Sequence, residues 1–395
     1  MMKCFDTYYS RFNVAEAHIP YPPDNDLHSI VVIPCFNEPD ITIPLNALTQ
    51  CAPTQFPVEI IVVVNSPENA PDIILKQNLE TLLQIEQFAK TNTRNDIKIY
   101  SIHAPNLPRK HAGVGFARKI GMDEAVRRFD SIERKDGVII NFDADCTCNA
   151  QYLSAIESYF INNPKKEGAS ISFEHPKEGL PPETASAIAK YELYIRYFVE
   201  AQRYAGFPYA YHTVGSAFAV RAEAYAAVGG MNRRQAGEDF YFLQKIIPRM
   251  HYGEINDAVV YPSPRYSNRV PFGTGVSVEK ICAQNGEYKV YNPAAFEILR
   301  RFFSTATAIR QGKMPDIDPI LDDFLKLNDF YSHTQEMVDN STSERTFMQR
   351  FFTWFDAFRM IKFLNYAHEE KMEKNEVEEA VKRLRSLTPS SATVQ

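Results

Sequence analysis

No two of the six cysteines, Cys4, Cys35, Cys51, Cys146, Cys148 and Cys282, have the Cys-x-x-Cys spacing of a zinc ribbon or a redox motif. Reduced thiols in a cytosolic protein fit that usage. No run approaches the ~20 apolar residues of a membrane span. Met1 to Pro20, broken by Lys3, Asp6, Arg11 and Glu16, lacks the apolar core of a secretory signal. An integral membrane protein is therefore not expected, and membrane contact is at most peripheral. Positive charge is also lacking: a net charge of -6 and a pI near 5.9 give no broad attraction to nucleic acid or anionic lipid. Any phosphate-binding site must be a local basic pocket. Internal repeats are absent.

What is present describes a globular chain. Hydrophobic residues make up 45%, aromatics 12% and charged residues 23% of the 395 positions, enough for a sizeable core. The length predicts one large α/β domain with an appended element, or two domains. Ser29-Ile-Val-Val-Ile-Pro34 and Val58-Glu-Ile-Ile-Val-Val-Val64 are short, β-branched and almost wholly apolar, as parallel strands covered on both faces are. Ile97 to Ile102 and Val138 to Phe142 continue the series. Helical spacing over Ile73–Ala89 and Val114–Phe129 separates them, which predicts a doubly wound sheet. Further on, Ala169–Phe173 and Thr213–Val220 read as strands. Pro181–Arg203, a segment from Arg221 and Phe240–Ile247 read as helices, and the chain from Asn285 is mostly helical.

Ligands of such sheets bind beyond the carboxyl ends of the strands, where Asn37-Glu38, Asn65 and Asp143 fall. Asp143-Ala144-Asp145 follows the run Gly137–Phe142, so two carboxylates emerge together from a buried strand. Hard cations such as Mg²⁺ or Mn²⁺ take oxygen ligands, and one or two carboxylates plus substrate phosphates complete their shell. The same residues also suit a plain strand-ending turn. Cys146 and Cys148 beside them could contribute to a soft-metal site, but tetrahedral thiolate sites need more ligands than this spacing offers.

Pro34-Cys-Phe-Asn37-Glu38 begins an ordered series of motifs, from about Ser29 to about Gly275, that resembles a family 2 glycosyltransferase of the GT-A fold. The resemblance implies a Rossmann-type, mostly parallel sheet flanked by helices, with a C-terminal helical extension. It divides the chain into an N-terminal segment 1–28, a catalytic domain 29–280 with a nucleotide-binding half 29–150 and an acceptor half 151–280, a helical region 281–387 and a flexible tail 388–395. The activity implied is transfer of a sugar, with inversion, from a nucleotide-diphosphate donor to a sugar, lipid-linked or other hydroxyl acceptor, assisted by Mn²⁺ or Mg²⁺.

Residue by residue, the resemblance places Pro34, Asn37 and Glu38 at the nucleotide. Asn65 stands where the family has an acidic residue against the base, so the base is open. Lys110-His-Ala-Gly113-Val-Gly115-Phe-Ala-Arg118 matches the segment that faces the diphosphate. A glycine-rich turn entering a helix offers free N–H groups to an anion, although flexible-loop glycines serve equally. Arg118 occupies the place of a third glycine, which excludes a dinucleotide fingerprint, and an arginine there can hold phosphate directly, so Arg118 is expected at the nucleotide sugar. Asp143 would touch the ribose or the metal's waters, and Asp145 would hold the metal. Gly237-Glu238-Asp239 matches the acidic pair at a helix start, with Asp239 as the base and Glu238 orienting the acceptor. Both acids would also suit the dipole of a helix N-terminus. Arg265 and Arg269 lie in a loop that closes over the diphosphate in related enzymes. Either His251 or His212 could supply a further metal ligand.

Phe347–Leu364 carries Phe351, Phe352, Trp354, Phe355, Phe358 and Ile361 at helical spacing. This stripe predicts burial against the catalytic domain, or, with Arg345, Arg350, Arg359 and Lys362, contact with a membrane bearing the acceptor. Two other readings remain. A sugar nucleotidyltransferase shares such a sheet but carries a Gly-rich, Arg-containing loop after its first strand. A non-catalytic carbohydrate-binding relative would not need Asp143, Asp145 and Asp239.

Overall fold

The computed structural model describes residues 5–12, 14, 17–264 and 273–388. Two compact units result, the first reaching Lys177 and resuming from Thr213 to Val276, the second comprising Glu178–His212 and the chain from Ser277. These bounds differ from a division at residue 280, because residues 178–212 belong with the C-terminal helices.

The first unit is built on one eight-stranded sheet in the order β3-β2-β1-β4-β7-β6-β8-β5. Its strands are β1 (Ser29–Cys35), β2 (Val58–Pro67), β3 (Ile97–Leu107), β4 (Val138–Asn141), β5 (Thr147–Cys148), β6 (Gly168–Phe173), β7 (Phe218–Arg221) and β8 (Tyr252–Tyr261). Every residue of β1 and β4 is buried, as their apolar sequences require. β3 instead alternates, with Ile97, Ile99, Ile102 and Ala104 inward and Lys98, Ser101 and His103 exposed, because it forms the sheet edge.

β3, β2, β1 and β4 run parallel, and β6 pairs with β8 in parallel. β7 is antiparallel to both β4 and β6, and β5 to β8, so the sheet is mixed. The expected strand Thr213–Val220 is confined to Phe218–Arg221, since the chain turns through Gly215 and Ser216 before pairing with β4. Asn141 of β4 lies opposite Phe218 of β7. The chain leaving β4 therefore emerges beside the turn that enters β7, a reversal of direction that opens space at strand ends.

Helices α1 (Asp6–Phe12), α2 (Thr42–Thr49), α3 (Asp72–Thr91), α4 (Val114–Ser131) and α5 (Tyr152–Asn162) precede α6 (Pro182–Tyr204), and α7 (Ala222–Ala227) and α8 (Glu238–Ile246) follow β7. α4 packs tightly on the sheet, because a Cβ on Gly121 would come within 2.5 Å of Val32 Cγ1. Arg128 of α4 donates through two nitrogens to the buried carboxylate of Glu59 on β2, Nη2 at 2.5 Å from Oε1. Pairing is what lets a charge stand within an apolar strand.

In the second unit, α6 is joined by α9 (Thr274–Ala283), α10 (Pro293–Ser304), α11 (Ala306–Arg310), α12 (Pro319–Leu327), α13 (Phe330–Asp339), α14 (Glu344–Trp354), α15 (Ala357–Glu370) and α16 (Val377–Leu387), with a two-stranded ribbon of β9 (Lys289–Val290) and β10 (Asn375–Glu376). The stripe 347–364 is two helices. Phe355 leaves helical geometry and the Asp356 carboxylate accepts from Arg359 N–H at 2.8 Å, starting α15. Phe347, Phe351, Phe352, Trp354 and Phe355 are buried within this unit, where Phe303 meets Phe355 at 5.0 Å and Phe330 meets Trp354 at 4.9 Å between ring centroids. Arg359 lies over the Trp354 ring at 4.2 Å. These side chains build the unit's own core. Among the described residues no helix is long and apolar enough to cross a membrane.

Candidate active site

The carboxyl ends of β1 and β2 are tied together by one amide. Asn78 of α3 accepts from Asn37 N–H at 3.0 Å and donates to the Asn65 carbonyl at 2.9 Å. Asn37 adopts a left-handed conformation (φ 49°), which Asn tolerates better than most residues and which turns the chain out of β1. The Glu38 carbonyl accepts from Gln77 Nε2 and Thr81 Oγ1, each at 3.0 Å. Asn37, Glu38 and Asn65 are thus held together through α3, and Pro34 and Asn65 lie within strands rather than after them. Nothing in the spacing of Asn78 points to this role. A helix polar residue that is 2% exposed is the only hint, and it is visible only in three dimensions.

After β4, Asp143 begins a tight turn in which Cys146 N–H donates to the Asp143 carbonyl at 3.1 Å. Asp143 and Asp145 are half-buried and Cys146 fully buried, with ligand atoms of all three within 4.8 Å of one another. Among the described residues this is the group that could hold a metal ion, and neither His251 nor His212 belongs to it. His212 is in the second unit, its imidazole pushed down to about 4 by burial and by Arg196 and Arg203. Burial, with Asp143 and Asp145 beside it, raises the Cys146 thiol well above its usual range. Of these donors the two carboxylates suit a hard divalent ion, whereas a neutral thiol does not. Cys148 does not join them; its sulfur lies 3.7 Å from that of Cys51.

The link between this turn and the acidic pair is Arg118, which projects from the first turns of α4 and is 3% exposed. Its Nη2 donates to Asp143 Oδ1 at 2.5 Å, and its Nη1 donates to Glu238 Oε1. Burial alone would lower the guanidinium's pKa, but Asp143, Glu238 and Asp239 together hold it above its ordinary value. The guanidinium needs a slot: a Cβ on Gly215 would lie 2.6 Å from both terminal nitrogens. Arg118 therefore engages carboxylates at both prongs rather than presenting a free fork.

The glycines near Arg118 have a packing reason. A Cβ on Gly115 would meet the Arg234 carbonyl at 2.3 Å, and one on Gly113 would meet Gln235 Cα at 3.0 Å. Gln235 Nε2 also donates to the Arg109 carbonyl at 2.7 Å, fastening the loop before α8 across the start of α4. Lys110 is exposed beside it.

Glu238 and Asp239 open α8 as expected, with Gly237 in the left-handed region (φ 68°) just before them. Glu238 is 2% exposed; burial raises its pKa to about 7 against the pull of Arg118, with Asp239 and Asp143 adding to the rise. Three carboxylates share one guanidinium, so one of them takes up a proton readily. Asp239 is half-buried, accepts from Phe240 N–H at 2.7 Å, and is likewise raised, first by burial. Asp143 and Glu238 thus converge on a single cation, joining the turn after β4 to the start of α8. Arg265 and Arg269 lie outside the described residues.

No protein family and no curated protein matches the sequence. Solved structures do resemble it in fold. One is S. aureus TarS 1–349 in complex with UDP-GlcNAc, with 14% identity, 87% of this chain and 92% of that one covered, and a TM-score of 0.43. Another is the mannosyltransferase PcManGT from Pyrobaculum calidifontis in complex with GDP-Man and Mn²⁺, with 16% identity, 93% and 94% covered, and a TM-score of 0.36.

Proposed function

We propose that this protein is a glycosyltransferase that moves a sugar from a nucleotide-diphosphate donor to a hydroxyl acceptor with inversion at the anomeric carbon. The observation that supports this best is Arg118, which brings the Asp143–Asp145 turn and the Glu238-Asp239 pair to one place.

In this reading Asn37, Glu38, Asn65 and Pro34 form the floor under the nucleoside, and Lys110 in the turn before α4 answers its phosphates. Asp145 and Asp143 hold Mn²⁺ or Mg²⁺. When bound, that ion neutralises charge on the departing nucleoside diphosphate. Asp239 accepts the acceptor hydroxyl's proton as its oxygen bonds to the anomeric carbon, and Glu238 orients that hydroxyl. A base opposite the leaving group favours direct displacement. Arg118 serves the acids by balancing their charge, leaving the phosphates to Lys110 and to Arg265 and Arg269.

The test is a thermal-shift panel of nucleotide sugars with and without Mn²⁺, followed by a transfer assay on the donor that stabilises. A ligand bound only by the folded chain raises its melting temperature. Failure of every nucleotide sugar to do so, with or without the ion, would sink the reading.

A further inference from the structure

Cys51, just beyond α2, and Cys148, in β5, lie 97 residues apart in sequence with their sulfurs 3.7 Å apart. That is van der Waals contact, within about 2 Å of the length of a disulfide bond. We infer that these two thiols are a site of reversible disulfide formation, independent of the donor chemistry proposed above.

Three observations support the pairing. The flanking backbones are already fastened together, Ala52 N–H donating to the Ala150 carbonyl at 2.7 Å. Arg94 holds the end of α2 by donating to the Cys51 carbonyl at 2.7 Å and the Thr49 carbonyl at 3.0 Å. The exposures are also unequal: Cys51 is 2% exposed and Cys148 is half-buried, so Cys148 is the more accessible residue of the two.

Accessibility sets the order of the reaction with a small disulfide such as oxidised glutathione, and it does so against the contact with Cys51 and the burial that raise the Cys148 thiol above its usual range. The Cys148 thiolate attacks one glutathione sulfur, breaks the S–S bond and expels glutathione thiolate, leaving a mixed disulfide. Cys51 then attacks Sγ of Cys148 and expels the second glutathione. Two protein thiols and one oxidised glutathione give one protein disulfide and two reduced glutathiones, with protons conserved between them. Cys51 suits the second role because its sulfur already lies 3.7 Å from that of Cys148. Cys146, fully buried, does not compete.

Cys148 follows Asp145 by three residues, and β5 is held on its other side by β8. Closing the bond would anchor the acidic turn's exit to the end of α2.

The folded full-length protein is incubated with oxidised glutathione, quenched by alkylation, digested without reductant and mapped by mass spectrometry. The expected result is a Cys51–Cys148 cross-linked peptide, a loss of two titratable thiols and restoration of both by dithiothreitol. In Cys148→Ser the cross-link is absent and Cys51 stays reduced. In Cys51→Ser a glutathione adduct persists on Cys148. A wild-type map in which Cys148 retains glutathione, remains a free thiol or pairs with a different cysteine would overturn the inference.

Discussion

Arg118 and Glu238, 120 residues apart in sequence, meet in an ion pair whose two side chains are each 3% exposed. A buried charge deprived of its partner is far more costly than a surface one. Replacing Arg118 by Met should therefore destabilise the fold by ~3 kcal/mol or more. Chemical denaturation at neutral pH reads this directly, and a loss below ~1 kcal/mol would mean the pair is not buried as described.

The slot for that guanidinium gives a milder test. Gly215→Ala places a methyl group 2.6 Å from both terminal nitrogens of Arg118, so the arginine must move. A loss of roughly 1–3 kcal/mol is expected from overpacking. In the Arg118→Met background the same substitution should cost measurably less, and equal costs in the two backgrounds would separate Gly215 from Arg118.

Glu238 makes stability depend on pH in a definite direction. Its pKa is about 7 when folded against 4.5 as the reference, so its contribution is fully present below 4.5 and is lost as pH rises through 7. Glu238→Gln cannot titrate. The stability of wild type minus that of Glu238→Gln should fall between pH 4.5 and pH 8, on the order of 3 kcal/mol at most. Parallel stability profiles would refute the shifted carboxyl.

For Asp239→Asn the expectation is retained binding of nucleotide sugar and transfer reduced by ~10²-fold or more. The raised pKa of Asp239 also predicts that activity climbs with pH through a limb above the ordinary carboxylate range. Isothermal titration and a rate–pH profile check the two parts, and undiminished transfer would remove Asp239 from the base role.

Asp145→Ala should abolish the part of nucleotide affinity that depends on added Mn²⁺ while leaving the ion-free affinity in place. Affinity that still rises with Mn²⁺ in the variant would move the ion elsewhere.

Much of this site could be read in the linear sequence because its parts sit at strand and helix ends, where apolar runs stop and polar residues start. β1, β2, β4 and the placement of the acids at 143, 145, 238 and 239 at element ends are legible for that reason, whereas the roles proposed for these acids come from the family resemblance. β7 was harder: it is four residues long, and the apolar run before it is a turn shaped by Gly215. The division of the 347–364 stripe depends on Asp356, a capping residue that periodicity passes over although an acid between two aromatic runs is a usable signal. Asn78 and the Cys51–Cys148 contact join residues 13 to 97 positions apart and could be found only in the folded chain.

The second unit takes α6 from the middle of the chain and its remaining residues from Ser277 onward, most of α9 included. On the ribosome, the first unit has all its residues once Val276 has emerged, whereas Ile188 and Tyr197 of α6 must wait for Val278, Ile281 and Phe296 to be synthesised. For that interval a 23-residue amphipathic helix lacks these packing partners. Chaperone demand during biosynthesis should accordingly centre on α6, and a chain terminated shortly after the sheet is complete would carry that liability permanently.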